Sequence, residues 1–167
     1  MSLTATVKAS INATLTKSSD LASASSKIAH ALSLAFSDGT AALQADRIWS
    51  DTRTLAASAT EDLDFSGALV DIYGDAVVFA DIRAILITAD SGNTNNVNVT
   101  RPAANGLALF LAASDGIAVR PGGAVLYVAQ DTTAIPVAAG TGDLLTLTNS
   151  AGSTSVTYTI TAIGSAA

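Results

Sequence analysis

The side chains that could do chemistry are few. His30 is the only histidine, and there is no cysteine. A Ser-His-Asp site could use His30. It sits in an apolar pattern without a partner signature, so the expected role is a buried or half-buried structural histidine. No G-x-S-x-G, H-E-x-x-H or P-loop pattern occurs. Glu61, Asp62, Asp64, Asp71 and Asp75 form an acidic stretch. Calcium takes oxygen ligands from such loops, but the spacing is not that of an EF-hand, and a solvated loop and strand face is the expectation. Gly140-Thr141-Gly142 resembles the start of a glycine-rich phosphate loop, yet no helix pattern follows it and a turn between strands is expected. Trp49, Tyr73, Tyr127 and Tyr158 could make a sugar-binding platform, although scattered aromatics are more often core or rim residues. Asn12-Ala13-Thr14 and Asn98-Val99-Thr100 match the glycosylation acceptor pattern, a common coincidence in a Thr-rich chain. Two catalytic partners cannot be assembled, so the chain reads as a non-enzyme without a cofactor or metal.

Composition narrows the partners. With 167 residues the chain is long enough for one domain with a real core. Charged residues are 13% of it, about half the usual 25%. Ser, Thr, Ala, Asn and Gly fill the gap. The surface is either neutral and hydroxyl-rich or covered by neighbouring subunits. Eight basic and 14 acidic residues give a net charge of −6, which argues against phosphate-driven nucleic-acid binding. No apolar run is long enough to span a membrane. The first residues lack the basic and apolar regions of a secretory signal.

The elements that must carry these residues are strands. From Leu3 to Thr16, apolar and polar residues alternate strictly. That is a strand signal, with a reach of roughly 40 Å at 3.3 Å per residue, long enough to overhang as an arm. Ser18 to Ser26 is rich in Ser and Ala and turns near Ser19-Asp20. Ile28 to Phe36 fits either a helix face or a strand, and Asp38-Gly39 favours the strand. Ala41 to Ser50 has the composition of a short helix or turn. Arg53 to Phe65 alternates again. Ala76 to Thr88 is nearly continuous in apolar residues, interrupted by Asp81 and Arg83, and reads as one or two central strands. Asp90 to Asn96 is a loop. Short strands are expected at 97–100, 107–111, 117–119, 125–128 and 135–137. Arg120-Pro121-Gly122-Gly123 specifies a type II turn. Leu145 and Leu147, then Val156, Tyr158 and Ile160, alternate with threonines on either side of Asn149-Ser150-Ala151-Gly152-Ser153 and read as a closing β-hairpin. The expected architecture is all-β: an antiparallel sandwich or jelly-roll-like fold of about nine or ten short strands. An extended N-terminal strand or arm, 1–17, would precede a single domain, 18–167.

Several segments, taken in order, carry a resemblance. They are Ala45-Asp46-Arg47-Ile48-Trp49-Ser50-Asp51-Thr52-Arg53-Thr54-Leu55, Ala59-Thr60-Glu61-Asp62-Leu63-Asp64, Gly92-Asn93-Thr94-Asn95-Asn96-Val97, Val119-Arg120-Pro121-Gly122-Gly123, Ala139-Gly140-Thr141-Gly142-Asp143-Leu144-Leu145 and Ser155-Val156-Thr157-Tyr158-Thr159-Ile160. Together they resemble a family of small virion proteins encoded among the structural genes of tailed bacteriophages and prophages, over residues 40–163. The resemblance implies a capsid-decorating or cement protein. Its partners would be the major capsid protein and further copies of itself, as a dimer or trimer, and its place the virion, assembled in the bacterial cytoplasm. The candidate contacts are the apolar face of the arm, Leu3, Val7, Ile11 and Leu15, which could add to the sheet edge of a neighbour. The loop residues Asn93, Asn95 and Asn96 are further candidates. The alternative is a tail, baseplate or fibre component that uses its loops for host-surface or glycan recognition.

Overall fold

The computed structural model describes residues 2–166 and is all-β. The strands are β1 (Ala5–Ser18), β2 (Ser23–Phe36), β3 (Arg47–Leu55), β4 (Thr60–Asp64), β5 (Leu69–Val70), β6 (Ala76–Val77), β7 (Asp81–Ala89), β8 (Val97–Thr100), β9 (Gly116–Val119), β10 (Ala124–Val128), β11 (Ile135–Pro136), β12 (Leu144–Asn149) and β13 (Val156–Ser165). Two antiparallel sheets form a sandwich. One runs β10-β7-β13-β3, with β11 also on β7, and the other runs β4-β12-β8-β9. β5 pairs β6, and β1 pairs β2, each pair as a separate two-stranded sheet.

Period-2 alternation makes each layer. Leu145 and Leu147 of β12, Val97 and Val99 of β8, and Leu63 of β4 point inward from one sheet. Ile85 and Ile87 of β7 and Val156, Tyr158 and Ile160 of β13 meet them from the other. Each is buried, and each such side chain contributes about 1.5–3 kcal/mol of hydrophobic stabilisation. Trp49, Phe65 and Phe79 close one end of the core through edge-to-face contacts, with ring centroids 6.3 and 6.0 Å apart.

The expected closing hairpin is an arch instead. β12 pairs with β4 and β8, whereas β13 pairs with β3 and β7. Both strands are central in their sheets, so neither has an edge left for the other. Their apolar faces meet across the core rather than lying side by side. The threonines therefore find other partners. Thr157, Thr159 and Thr161 of β13 hydrogen-bond Thr54, Thr52 and Ser50 of β3 through their hydroxyls at 2.9, 2.8 and 2.7 Å, while Thr148 meets Thr60 at 2.9 Å.

Of the helix or turn expected in Ala41–Ser50, the structure has the turn, at 41–44, leading into β3. Other expectations need correction. Arg53–Phe65 is two strands, the end of β3 and all of β4, separated by a turn in which Ser58 takes φ 57°. The segment 107–111 is irregular, with a bridge only at Gly106. The type II turn is present: Gly122 takes φ 70° and the Gly123 N–H donates to the Arg120 carbonyl at 2.7 Å.

A polar seam joins the two layers at the β3–β4 edge. Arg53 donates to Glu61 at 2.7 Å and to Asp51 at 3.0 Å, and its guanidinium lies 5.5 Å from the Trp49 ring centroid. Tyr158 donates its hydroxyl to the other Glu61 oxygen at 2.7 Å. Burial, reinforced by that hydrogen bond and by the Glu61 charge, raises the Tyr158 phenol above the usual tyrosine range. The folded value exceeds the unfolded one, so the contribution to stability is complete below about pH 10 and is lost as pH rises toward the folded value. Alkaline urea titrations are expected to show stability falling above about pH 10, and Tyr158→Phe to flatten that fall at a cost of about 1 kcal/mol at neutral pH.

Candidate interaction surface

The feature that departs from a closed sandwich is the β1–β2 hairpin. All 14 residues of β1 pair in register with β2, from Ala5↔Phe36 to Ser18↔Ser23. Ser19 closes the tip, with its amide and its hydroxyl both donating to the Ala22 carbonyl. The boundary drawn at residue 17 thus falls near the tip of a hairpin that returns to the domain at Phe36. At 3.3 Å per residue the ribbon is roughly 45 Å long.

Only the foot touches the domain. Phe36, Ala45, Ala84 and Ile163 are buried together, with Leu3, Ala5, Val7, Leu34 and Val128 packed around them. The Leu3 N–H donates to the Asp38 carboxylate at 2.9 Å. From Lys8 to Ser33 every residue is exposed. Register places Ala9, Ile11, Ala13 and Leu15 on one face, opposite Leu32, His30, Ile28 and Ser26. That face is apolar and wet: Ile11 is 69% exposed, Leu15 70% and Ile28 59%. Of the arm candidates, Leu3 and Val7 belong to the foot and Ile11 and Leu15 to the free part. His30 lies on this exposed face opposite Ile11, so the expectation of a buried or half-buried histidine was wrong.

A buried ion pair holds the loop that carries the hairpin. β7 bulges opposite Ile163 and Gly164, leaving Arg83 unpaired in the ladder. Arg83 is fully buried and forks onto Asp81, with Nε–Oδ1 2.8 Å and Nη2–Oδ2 3.1 Å. It also donates to the carbonyls of Thr40, at 2.8 Å, and Ala41, both between β2 and β3. The Ser165 hydroxyl donates to Asp81 at 2.6 Å. Gly164 is required here, because a β-carbon would overlap the Asp81 carbonyl oxygen. Sequence reasoning treated Asp81 and Arg83 as interruptions. Opposite charges two residues apart in an apolar run were the available signal.

The loop asparagines serve the interior. Asn93 clamps the Thr157 backbone, donating to its carbonyl and accepting from its N–H at 2.8 Å each. Asn95 is buried and donates to Asn149 and Thr154. The Asn96 backbone N–H donates to the Ser150 hydroxyl at 2.9 Å. They tie the β7–β8 loop to the β12–β13 arch.

The other candidates are dispersed. Glu61 is held by Arg53 and Tyr158. Asp62 accepts from the Thr146 hydroxyl, Asp64 from the Ser66 amide and hydroxyl, and Asp71 from the Tyr73 and Asp75 amides. Among the described residues no group of three or more His, Asp or Glu side chains is placed to hold a metal. Gly140-Thr141-Gly142 is a turn leading into β12. Trp49 and Tyr158 are core residues, whereas Tyr73 is exposed, so the four aromatics make no common platform.

No protein-family model, curated protein or solved structure matches the chain. Any assignment of role therefore rests on the molecule's own surface and on the segment resemblance.

Proposed function

We propose that this chain is a structural protein of a tailed-bacteriophage particle, a head decoration protein that binds the shell of major capsid protein and reinforces it. The observation that carries the reading is the projecting hairpin, whose apolar face has no cover within its own chain. An isolated two-stranded ribbon is marginal in water, so this one is built to be finished by a neighbour. The segments resembling virion proteins and the low-charge, hydroxyl-rich exterior support the same reading, since an apolar contact repeated over many copies reinforces a lattice without any one contact being strong. Because β1 is paired along its whole length with β2, the arm works through its face or its outer edges, not as a lone strand added to a neighbour's sheet.

The test uses particles that lack the chain. Added protein is expected to bind the head in hundreds of copies and to raise the force or temperature at which the shell breaks. Replacing Ala9–Leu32 by an Asn-Gly turn keeps the foot, and is expected to weaken particle binding by at least about tenfold with sandwich melting unchanged. Dozens of copies confined to the tail would replace this reading with a tail, baseplate or fibre component.

A further inference from the structure

The surface and charge of the chain are divided unevenly. Its solvent-accessible surface is 9112 Å² for a mass of 16.6 kDa. A compact monomer of that mass exposes about 7,600 Å². The excess, about 1,500 Å², is close to the total buried by one standard protein–protein interface. The hairpin is basic: residues 1–36 hold all three lysines, Lys8, Lys17 and Lys27, and one acid, Asp20. The remainder holds five arginines and thirteen acids. A +2 ribbon thus projects from a −8 body.

The body carries a groove of matching character. About 660 Å³ in volume, it lies between the N-terminal end of β3 and the β5–β6 loop. Its walls include Asp71 and Asp75, the Asp46–Arg47 ion pair, Leu3 of the foot, and Ile72 and Tyr73. Ile72 and Tyr73 are 85% and 72% exposed. Exposed apolar groups beside the Asp71 and Asp75 carboxylates are what a ribbon bearing Ile11, Leu15 and Ile28, and ending at Lys17, requires. The hairpin's own foot is fixed against Ala84 and Ile163, and the free part is exposed throughout. No residue of that free part lines the groove of its own chain.

We infer that the hairpin of one copy docks in the β3/β5–β6 groove of a second copy, with the Ile11–Leu15–Ile28 face against Ile72 and Tyr73 and with Lys17 facing the Asp71–Asp75 loop. Such a contact joins unlike surfaces, so it repeats head to tail until a ring closes or is made twice in a reciprocal pair. It is read on the purified chain without particles, so a monomeric chain overturns it and leaves the hairpin face free for the shell.

Sedimentation of the purified chain at about 100 µM is expected to give two or three times the monomer mass, with dissociation promoted by salt. The double variant Ile11→Lys, Ile28→Lys and the groove variant Ile72→Lys are each expected to weaken association by at least about a hundredfold. The thermal melting transition reports that the sandwich is intact in each. Mixing the two variants restores a complex, because each supplies the surface the other lacks. Lys17→Glu weakens association, and adding Asp75→Lys to the same chain restores it. A monomeric wild-type chain overturns the proposal. So does full association of Ile72→Lys when the hairpin double variant is monomeric, since the hairpins would then pair with each other.

Discussion

Arg83→Ala is expected to destabilise the domain by about 3–5 kcal/mol, the usual cost of leaving one partner of a buried ion pair alone. The substitution strands the Asp81 carboxylate with only the Ser165 hydroxyl, and removes the donors that hold the Thr40 and Ala41 carbonyls. Urea unfolding measures the loss as a lower midpoint at unchanged slope. The double variant Asp81→Leu, Arg83→Met separates the two contributions. It removes the stranded charge and so is expected to recover part of the stability, while the two carbonyls stay without their donor. Full recovery would mean that those carbonyls contribute nothing. Because they lie in the loop that returns from the hairpin, hydrogen exchange at residues 37–44 is expected to quicken in both variants.

Asn149→Ala is expected to cost about 2–4 kcal/mol. This side chain is 2% exposed at the mouth of the arch. Its amide donates to the carbonyls of Thr154 at 2.7 Å, Ala56 at 3.0 Å and Leu55 at 3.4 Å. Its oxygen accepts from Asn95 at 3.1 Å and from the Ala151 amide at 3.3 Å. One residue thus binds the turn after β3, the β7–β8 loop and the arch itself. Asn149→Asp keeps the shape and the acceptor but turns a carboxylate toward three carbonyls. It is expected to be at least as damaging as alanine, and a neutral result in thermal melts would sink this account of the arch.

Parts of this molecule were legible in the residues. Alternation from Leu3 to Thr16 gave a strand with an apolar and a polar face, and both faces are there. Pro121-Gly122 fixed its turn because proline sets φ and glycine tolerates a positive value. Val97–Thr100 and the Asp90–Asn96 loop sit where composition put them. Leu3, Val7, Ile11 and Leu15 were legible as one apolar face of an N-terminal strand, but the sequence did not separate Leu3 and Val7, used at the foot, from Ile11 and Leu15, left in water.

What alternation cannot supply is the identity of a strand's neighbour. Period 2 says which side chains share a face and nothing about which backbone lies alongside. A short Gly-containing loop after Leu145 and Leu147 therefore looked like a hairpin, though the backbone crosses from one layer to the other. The same limit hid the pairing of β1 with β2, and with it the hairpin's exit at Phe36. The Asp81–Arg83 spacing was visible but its burial was not: only the β7 bulge and the close approach of Gly164 bring an ionic pair into the interior with carbonyls from a distant loop. The sequence alone determined an all-β chain with an amphipathic arm. Partner strands, the arch and the basic ribbon projecting from an acidic body were decided by tertiary structure, because they depend on contacts between residues as many as 120 positions apart, which local patterns do not encode.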